Sequence, residues 1–194
     1  GDFIGVGIGY NHGTVTISSV VCDTNTLSAA HTDYTGGGGI GIYFIRATAT
    51  CDNVLVTLSA QNLNAVDIVG VVIASDSVNP AAETGTSTSA ETVGVNPPHT
   101  TAAVTPAVSN VLFIGVAFTL GLAVSPVGDA DFTDVAVVDV GGNVYFEYRI
   151  QSDTTAQSYT VTATDSETVD LALAAFEGAS GASSAPRGLL LGVW

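Results

Sequence analysis

Methionine and lysine are absent from this 194-residue chain, and Arg46, Arg149 and Arg187 are its only basic side chains besides histidine. Against them stand 18 Asp and Glu residues, for a formal net charge of -15 at pH 7. A surface so negative repels phosphate backbones and anionic lipid, which argues against nucleic acid as a partner. Salt bridges are scarce for the same reason. Stability must come from apolar burial and backbone hydrogen bonds. No uninterrupted apolar run approaches the roughly 18 residues of a membrane helix, so no membrane span is expected. Without methionine the chain begins at Gly1, and a processed N-terminus is the expectation.

Cysteine is equally sparse. Cys22 and Cys51 are an even pair, and a disulfide between them would close a loop worth about 3 kcal/mol in chain entropy. The other reading of the pair is two buried thiols. With the abundance of Thr, Ser, Gly and Ala, the pair points to an oxidising, extracellular or cell-surface setting.

Helical signals are missing too. Hydrophobic residues make up 46% of the chain and the mean hydropathy is +0.46, enough for a substantial core. The apolar residues come in short runs or strict alternation, separated by turn residues, and no amphipathic helix is apparent. Ile4, Val6, Ile8 and Tyr10 alternate with Gly5, Gly7 and Gly9, a period of two that predicts a strand whose glycine face admits close neighbours. Strands are expected over 14–21, 40–47, 54–60, 66–74, 101–107, 110–122, 134–140, 143–151, 158–163 and 169–176. Gly141 and Gly142 suit a hairpin turn, whereas 23–39, with its run of four glycines, reads as a loop. The fold class is therefore all-β, an antiparallel β-sandwich.

The chain also repeats itself. Phe3-Ile4-Gly5-Val6-Gly7-Ile8 is echoed by Phe113-Ile114-Gly115-Val116-Ala117-Phe118, and Tyr43 within 40–45 falls on Tyr148 within 145–150. Residues 54–58 fall on 159–163, and 66–73 fall on 169–176. Two pseudo-repeated halves, 1–75 and 100–178, are expected within one jelly-roll-like sandwich over 1–178. Residues 76–99, rich in Ser, Thr and Pro, read as a linker crossing the outside, with hydroxyls available to O-linked sugar. Residues 179–194 form a small-residue linker and a tail.

Little in this pattern carries chemistry. There is no Gly-x-Ser-x-Gly elbow, no His-Glu-x-x-His and no cysteine-rich zinc spacing. His12, His31 and His99 fall in turns or loops, so the chain is not expected to be an enzyme. Asp129, Asp131 and Asp134 alternate in a loop and offer oxygen ligands to calcium, although the glycine, glutamate and helices of an EF-hand are absent. The plainer reading is a solvated acidic loop, with no cofactor. Phosphate binding by the four glycines is disfavoured because a strand, not a helix, follows them.

The tail is the more informative feature. The first half lacks a strand that the second has ahead of Phe113, while Leu189, Leu190, Leu191, Val193 and Trp194 form a spare apolar strand beyond the repeat. An open sheet edge is a liability unless something pairs with it. Either the tail folds back to complete its own first half, or it inserts into the next copy as a donor strand.

In this composition and this spare strand the chain resembles secreted jelly-roll fibre subunits joined by donor strands, such as archaeal bundling pilins and TasA-like biofilm matrix fibres. The resemblance implies an extracellular filament, a head-to-tail homopolymer serving adhesion or biofilm cohesion. In those families the donor is typically N-terminal, so Phe3, Ile4, Val6 and Ile8 stand either as the acceptor edge or as the alternative donor. Viral or phage decoration and fibre proteins, and cell-surface modules that bind carbohydrate or calcium, are the competing classes.

Overall fold

The computed structural model describes residues 3–11, 14–34, 38–48, 51–60, 71–74, 87–92, 98–120, 129–139, 143–162, 168–177 and 187–190. Among these there are strands and no helix, and the ladders are antiparallel, as the alternating patterns predict. Two central sheets face each other. The first takes β1 (Phe3–Asn11), β5 (Gly38–Arg46) and β4 (Ser28–Asp33) in that order. The second takes β11 (Thr133–Asp139), β12 (Asn143–Gln151), β10 (Val111–Leu120), β14 (Thr168–Glu177) and β8 (Ser87–Thr92). Between them lies a shared core of Phe3, Ile40 and Ile42 from the first sheet with Leu112, Ile114, Val116, Phe118, Phe146 and Phe176 from the second.

The glycines of β1 explain how closely the sheets approach. A Cβ on Gly5 would lie 2.6 Å from Ile114 Cδ1, and one on Gly9 would lie 2.8 Å from Phe118 Cβ. One on Gly7 would overlap the Phe146 ring and lie 2.6 Å from Val116 Cγ2. The large side chains of the second sheet occupy the space that the glycine face leaves empty.

Each central sheet is buried on its outer face as well, which is why its strands carry apolar residues in both phases. Outside the first, β2 (Ile17–Cys22), β3 (Asn25–Thr26) and β6 (Val54–Leu58) cover Ile4, Val6, Ile8, Tyr10 and Tyr43. Outside the second, β9 (His99–Thr100), β13 (Thr160–Val161), Val104 and Phe132 help to cover Val111, Phe113, Ala117, Tyr145 and Leu173.

Several expectations change. Residues 23–39 are not simply a loop, because β3 and β4 lie there; β4 is a polar edge strand with a bulge between Ala29 and His31. The expected linker 76–99 contains β8, which pairs with β14 over six residues from Ala174↔Ser87 to Val169↔Thr92. Ser and Thr are tolerated there because an edge strand need not bury both faces. Residues 101–107 make one bridge, Val104↔Gln157, instead of a strand. Of the described residues within 158–163, Thr160–Val161 form a strand. The expected hairpin glycines Gly141 and Gly142 lie outside the described residues.

The hexapeptide echo marks matching strands, but one residue out of phase. Phe3 faces the shared core, whereas Phe113 faces outward; likewise Tyr43 faces outward, whereas Tyr148 packs against the shared core. A one-residue slip reverses every side chain in a strand, so the literal match cannot assign burial. What the halves share is pairing: β1 with β5 and β10 with β12, antiparallel over nine pairs each.

Candidate functional site

The last described strand, β15 (Arg187–Leu190), decides what the tail does in one molecule. It pairs antiparallel with β7 (Val71–Ala74) of the same chain, with Arg187 opposite Ala74 and Leu189 opposite Val72. β7 lies alongside β1, and β15 lies against β11 of the facing sheet. Within one molecule the tail therefore folds back onto β7. Leu189 and Leu190 fall in this strand; Leu191, Val193 and Trp194 lie outside the described residues.

Within one molecule Phe3, Ile4, Val6 and Ile8 do not receive the tail. All four are buried in β1, which is hydrogen-bonded to β5 on one side and has β7 beside it on the other. The strand that receives the tail is β7, not the leading strand β1.

The arrangement is crossed. β8 follows β7 in the chain yet pairs with β14, while β15 follows β14 yet pairs with β7. As many residues separate Ala74 from Ser87 as separate Ala174 from Arg187, and the observed partners are Ala74 with Arg187 and Ala174 with Ser87. Each half's outermost strand is therefore supplied by the segment that follows the other half.

No protein-family model, curated protein or solved structure matches the chain.

Cys22 and Cys51 form the expected disulfide, with Cα atoms 5.2 Å apart, within the ordinary range. It ties the end of β2 to the segment leading into β6. The neighbouring Asp23, at φ 51°, tightens the same corner. Its N–H donates to the Asn53 carbonyl at 3.0 Å, and its carboxylate accepts the Asp52 N–H at 2.5 Å and the Asn53 side-chain amide at 3.3 Å. The Asp52 N–H, above all, holds the Asp23 carboxyl below its usual range. Asn25 is buried beside it and joins the Cys22 carbonyl to Thr48 through its side-chain amide.

The acidic loop is a structural turn. Both Asp129 carboxylate oxygens accept backbone N–H groups, from Asp131 at 2.9 Å and from Thr160 at 2.9 Å. Asp131 pairs with Arg149 at 3.1 Å. Among the described residues no group of three His, Cys, Asp or Glu side chains is arranged to hold a metal ion, so Asp129, Asp131 and Asp134 are not gathered into the calcium site their spacing suggested.

Beneath this turn lies a carboxyl that the sequence reading overlooked. Glu147 points outward from β12 and is 1% exposed. Its Oε2 accepts the Asp129 N–H at 3.2 Å, and the buried Tyr159 hydroxyl neighbours the same carboxyl. The Tyr159 ring lies over Gly115, where a Cβ would come within 2.7 Å of it. Burial first, and the Asp134 carboxylate opposite on β11, push the Glu147 carboxyl up from 4.5 to about 7. One clue was available: Glu147 stands in an aromatic run, Tyr145-Phe146-Glu147-Tyr148, in phase with the buried Tyr145.

A carboxyl with a raised folded value stabilises the protein fully below its unfolded value, and that stability is lost as the pH climbs to the folded one. The loss here falls between pH 4.5 and about 7. His31 and His99, both held below their usual value by burial, act in the opposite sense and favour the fold at higher pH. The Glu147 part is isolated by comparison with Glu147→Gln. From pH 5 to pH 8 the wild type should lose about 5 °C more in melting temperature than the variant, measured by scanning calorimetry.

Proposed function

We propose that this chain is a structural subunit of an extracellular filament, a head-to-tail homopolymer built by donor-strand complementation through β15, with a role in adhesion or matrix cohesion. The observation that carries this reading is the pairing of β15 with β7. Every copy holds both a terminal edge strand, β15, and the strand that seats it, β7, which are paired within one molecule. If β15 of one copy takes the β7 seat of the next, the contact is heterologous and need not close, so a chain of subunits results.

Three further features support the same reading. The disulfide at Cys22 and Cys51 suits an oxidising, extracellular environment. The two halves are read as a duplicated unit in a jelly-roll-like sandwich, and both outermost strands, β8 and β15, come from outside the half they complete. The segment between β14 and β15 is rich in Gly, Ser and Ala by sequence, a composition with the reach an inserted strand needs. O-linked sugar on the hydroxyl-rich segment 76–99 belongs to the same reading.

Negative-stain electron microscopy of concentrated protein tests the proposal. Unbranched filaments are expected from the full chain, and only protomers or amorphous aggregate from a variant lacking 187–194. Filaments of unchanged form and yield from the truncated variant would remove β15 from the account.

A further inference from the structure

The crossed strands bear on how a second copy is admitted, taking as given the filament reading above. A strand seat that stood empty would permit simple addition: an incoming strand would dock and the polymer would lengthen. Here the outer sides of both β7 and β14 are filled within one molecule, by β15 and β8 respectively. The two fillings obey one rule, since each strand pairs antiparallel, at an edge, with the half it does not follow. Such matched crossing is the arrangement of a strand-exchanged pair whose partners are joined in one chain.

We propose that copies join by exchange at the β7 edge and not by addition: β15 leaves its own β7 and takes the β7 of a second copy in the same register, Arg187 opposite Ala74 and Leu189 opposite Val72. The partner is another molecule of this chain, and the surface it uses is exposed only while β15 is away. The pairing inside the molecule is therefore an inhibitory contact as well as a structural one.

The thermodynamics follow from tethering. The ladder broken and the ladder formed are identical, so exchange by itself gains nothing from pairing. A strand held on the same molecule competes at an effective concentration in the millimolar range. Dilute protein accordingly stays closed, and joining requires crowding at a surface or additional contacts between subunits. β8 does not offer the same route, because its chain continues on both sides into strands of the shared sandwich, β7 before it and β9 after it.

A covalent lock tests this. Residues directly opposite in an antiparallel pair have Cβ atoms about 5 Å apart, so Val72→Cys with Leu189→Cys in one chain should form a disulfide that fixes β15 in its own seat. The oxidised double variant is expected to assemble at least about tenfold more slowly than the same variant with both cysteines blocked before oxidation, which should behave as wild type. A second measurement needs no variant: the rate at which wild-type filaments lengthen should level off with rising protein concentration, because opening becomes limiting. Equal assembly of locked and blocked forms, or a rate that stays proportional to concentration, would overturn exchange while leaving the filament reading intact. Failure of wild type, locked and blocked forms alike to assemble at millimolar concentration would overturn the filament reading and this inference with it.

Discussion

Gly7→Val should abolish the native fold, and Gly7→Ala should destabilise it by about 3 kcal/mol. Replacing a strand glycine with alanine ordinarily gains about 0.4 to 1 kcal/mol, because the unfolded chain loses freedom. At Gly7 that gain is overwhelmed. The new Cβ would overlap the Phe146 ring and approach Val116 Cγ2 at 2.6 Å, and both neighbours are completely buried in the core between the central sheets. Neither ring nor methyl has space to retreat into. Position along the strand grades the effect: Gly9→Ala meets Phe118 Cβ at 2.8 Å, an atom fixed to the backbone, and should cost nearly as much. Gly5→Ala meets only the far end of the Ile114 side chain at 2.6 Å and should be mildest. Urea titration of the three alanine variants gives the order, and equal midpoints for all three would contradict the packing described between the sheets.

Cys22→Ser with Cys51→Ser should cost about 3 to 4 kcal/mol. The bridge spans a sequence separation of 29 residues, so its loss releases a large loop in the unfolded chain. It also frees a corner whose other ties include the exposed Asp23 hydrogen bonds and the part-buried bond from Thr48 to Asn25. The Asp23 carboxylate adds to the same corner only above the acid range. The Asp23 carboxyl is held below its usual range, so its contribution is present above the unfolded value and disappears as the pH falls through the folded one. Thermal unfolding of the double variant and of reduced wild type should agree, since both remove the same crosslink. A shift below 2 °C in each would show that the corner is held by something other than the disulfide.

Much of this architecture is legible in the residues, for reasons that also explain the gaps. Period-two alternation in 3–10 and the apolar runs at 111–120 and 168–177 identify strands directly, because burial on one or both faces leaves a mark at every position. The glycine face of β1 likewise announced close neighbours, and Ile114, Val116, Phe118 and Phe146 are those neighbours. β4 and β8 were not legible as strands: at an edge, Ser, Thr and Ala suffice, and such a composition is shared with loops. The facing of the echoed segments is not legible, because Phe-Ile-Gly-Val satisfies either facing when both faces of a sheet are buried. Glu147 and Tyr159 came together through a turn at 129–132 and a gap over Gly115, neither of which leaves a local spacing in the sequence. β7 was missed as the receiving strand because crossed pairing joins segments more than a hundred residues apart, beyond the reach of any local pattern.

Mixed-copy crosslinking tests most directly whether β15 is shared between molecules. One population carries Val72→Cys alone and the other Leu189→Cys alone, the two positions being opposite each other in the β7 and β15 ladder. Oxidised together under conditions that give filaments, they should yield a covalent dimer containing one chain of each kind. If the mixture yields no such dimer while a single chain bearing both substitutions closes on itself in full, β15 belongs to its own molecule alone and the filament account is wrong.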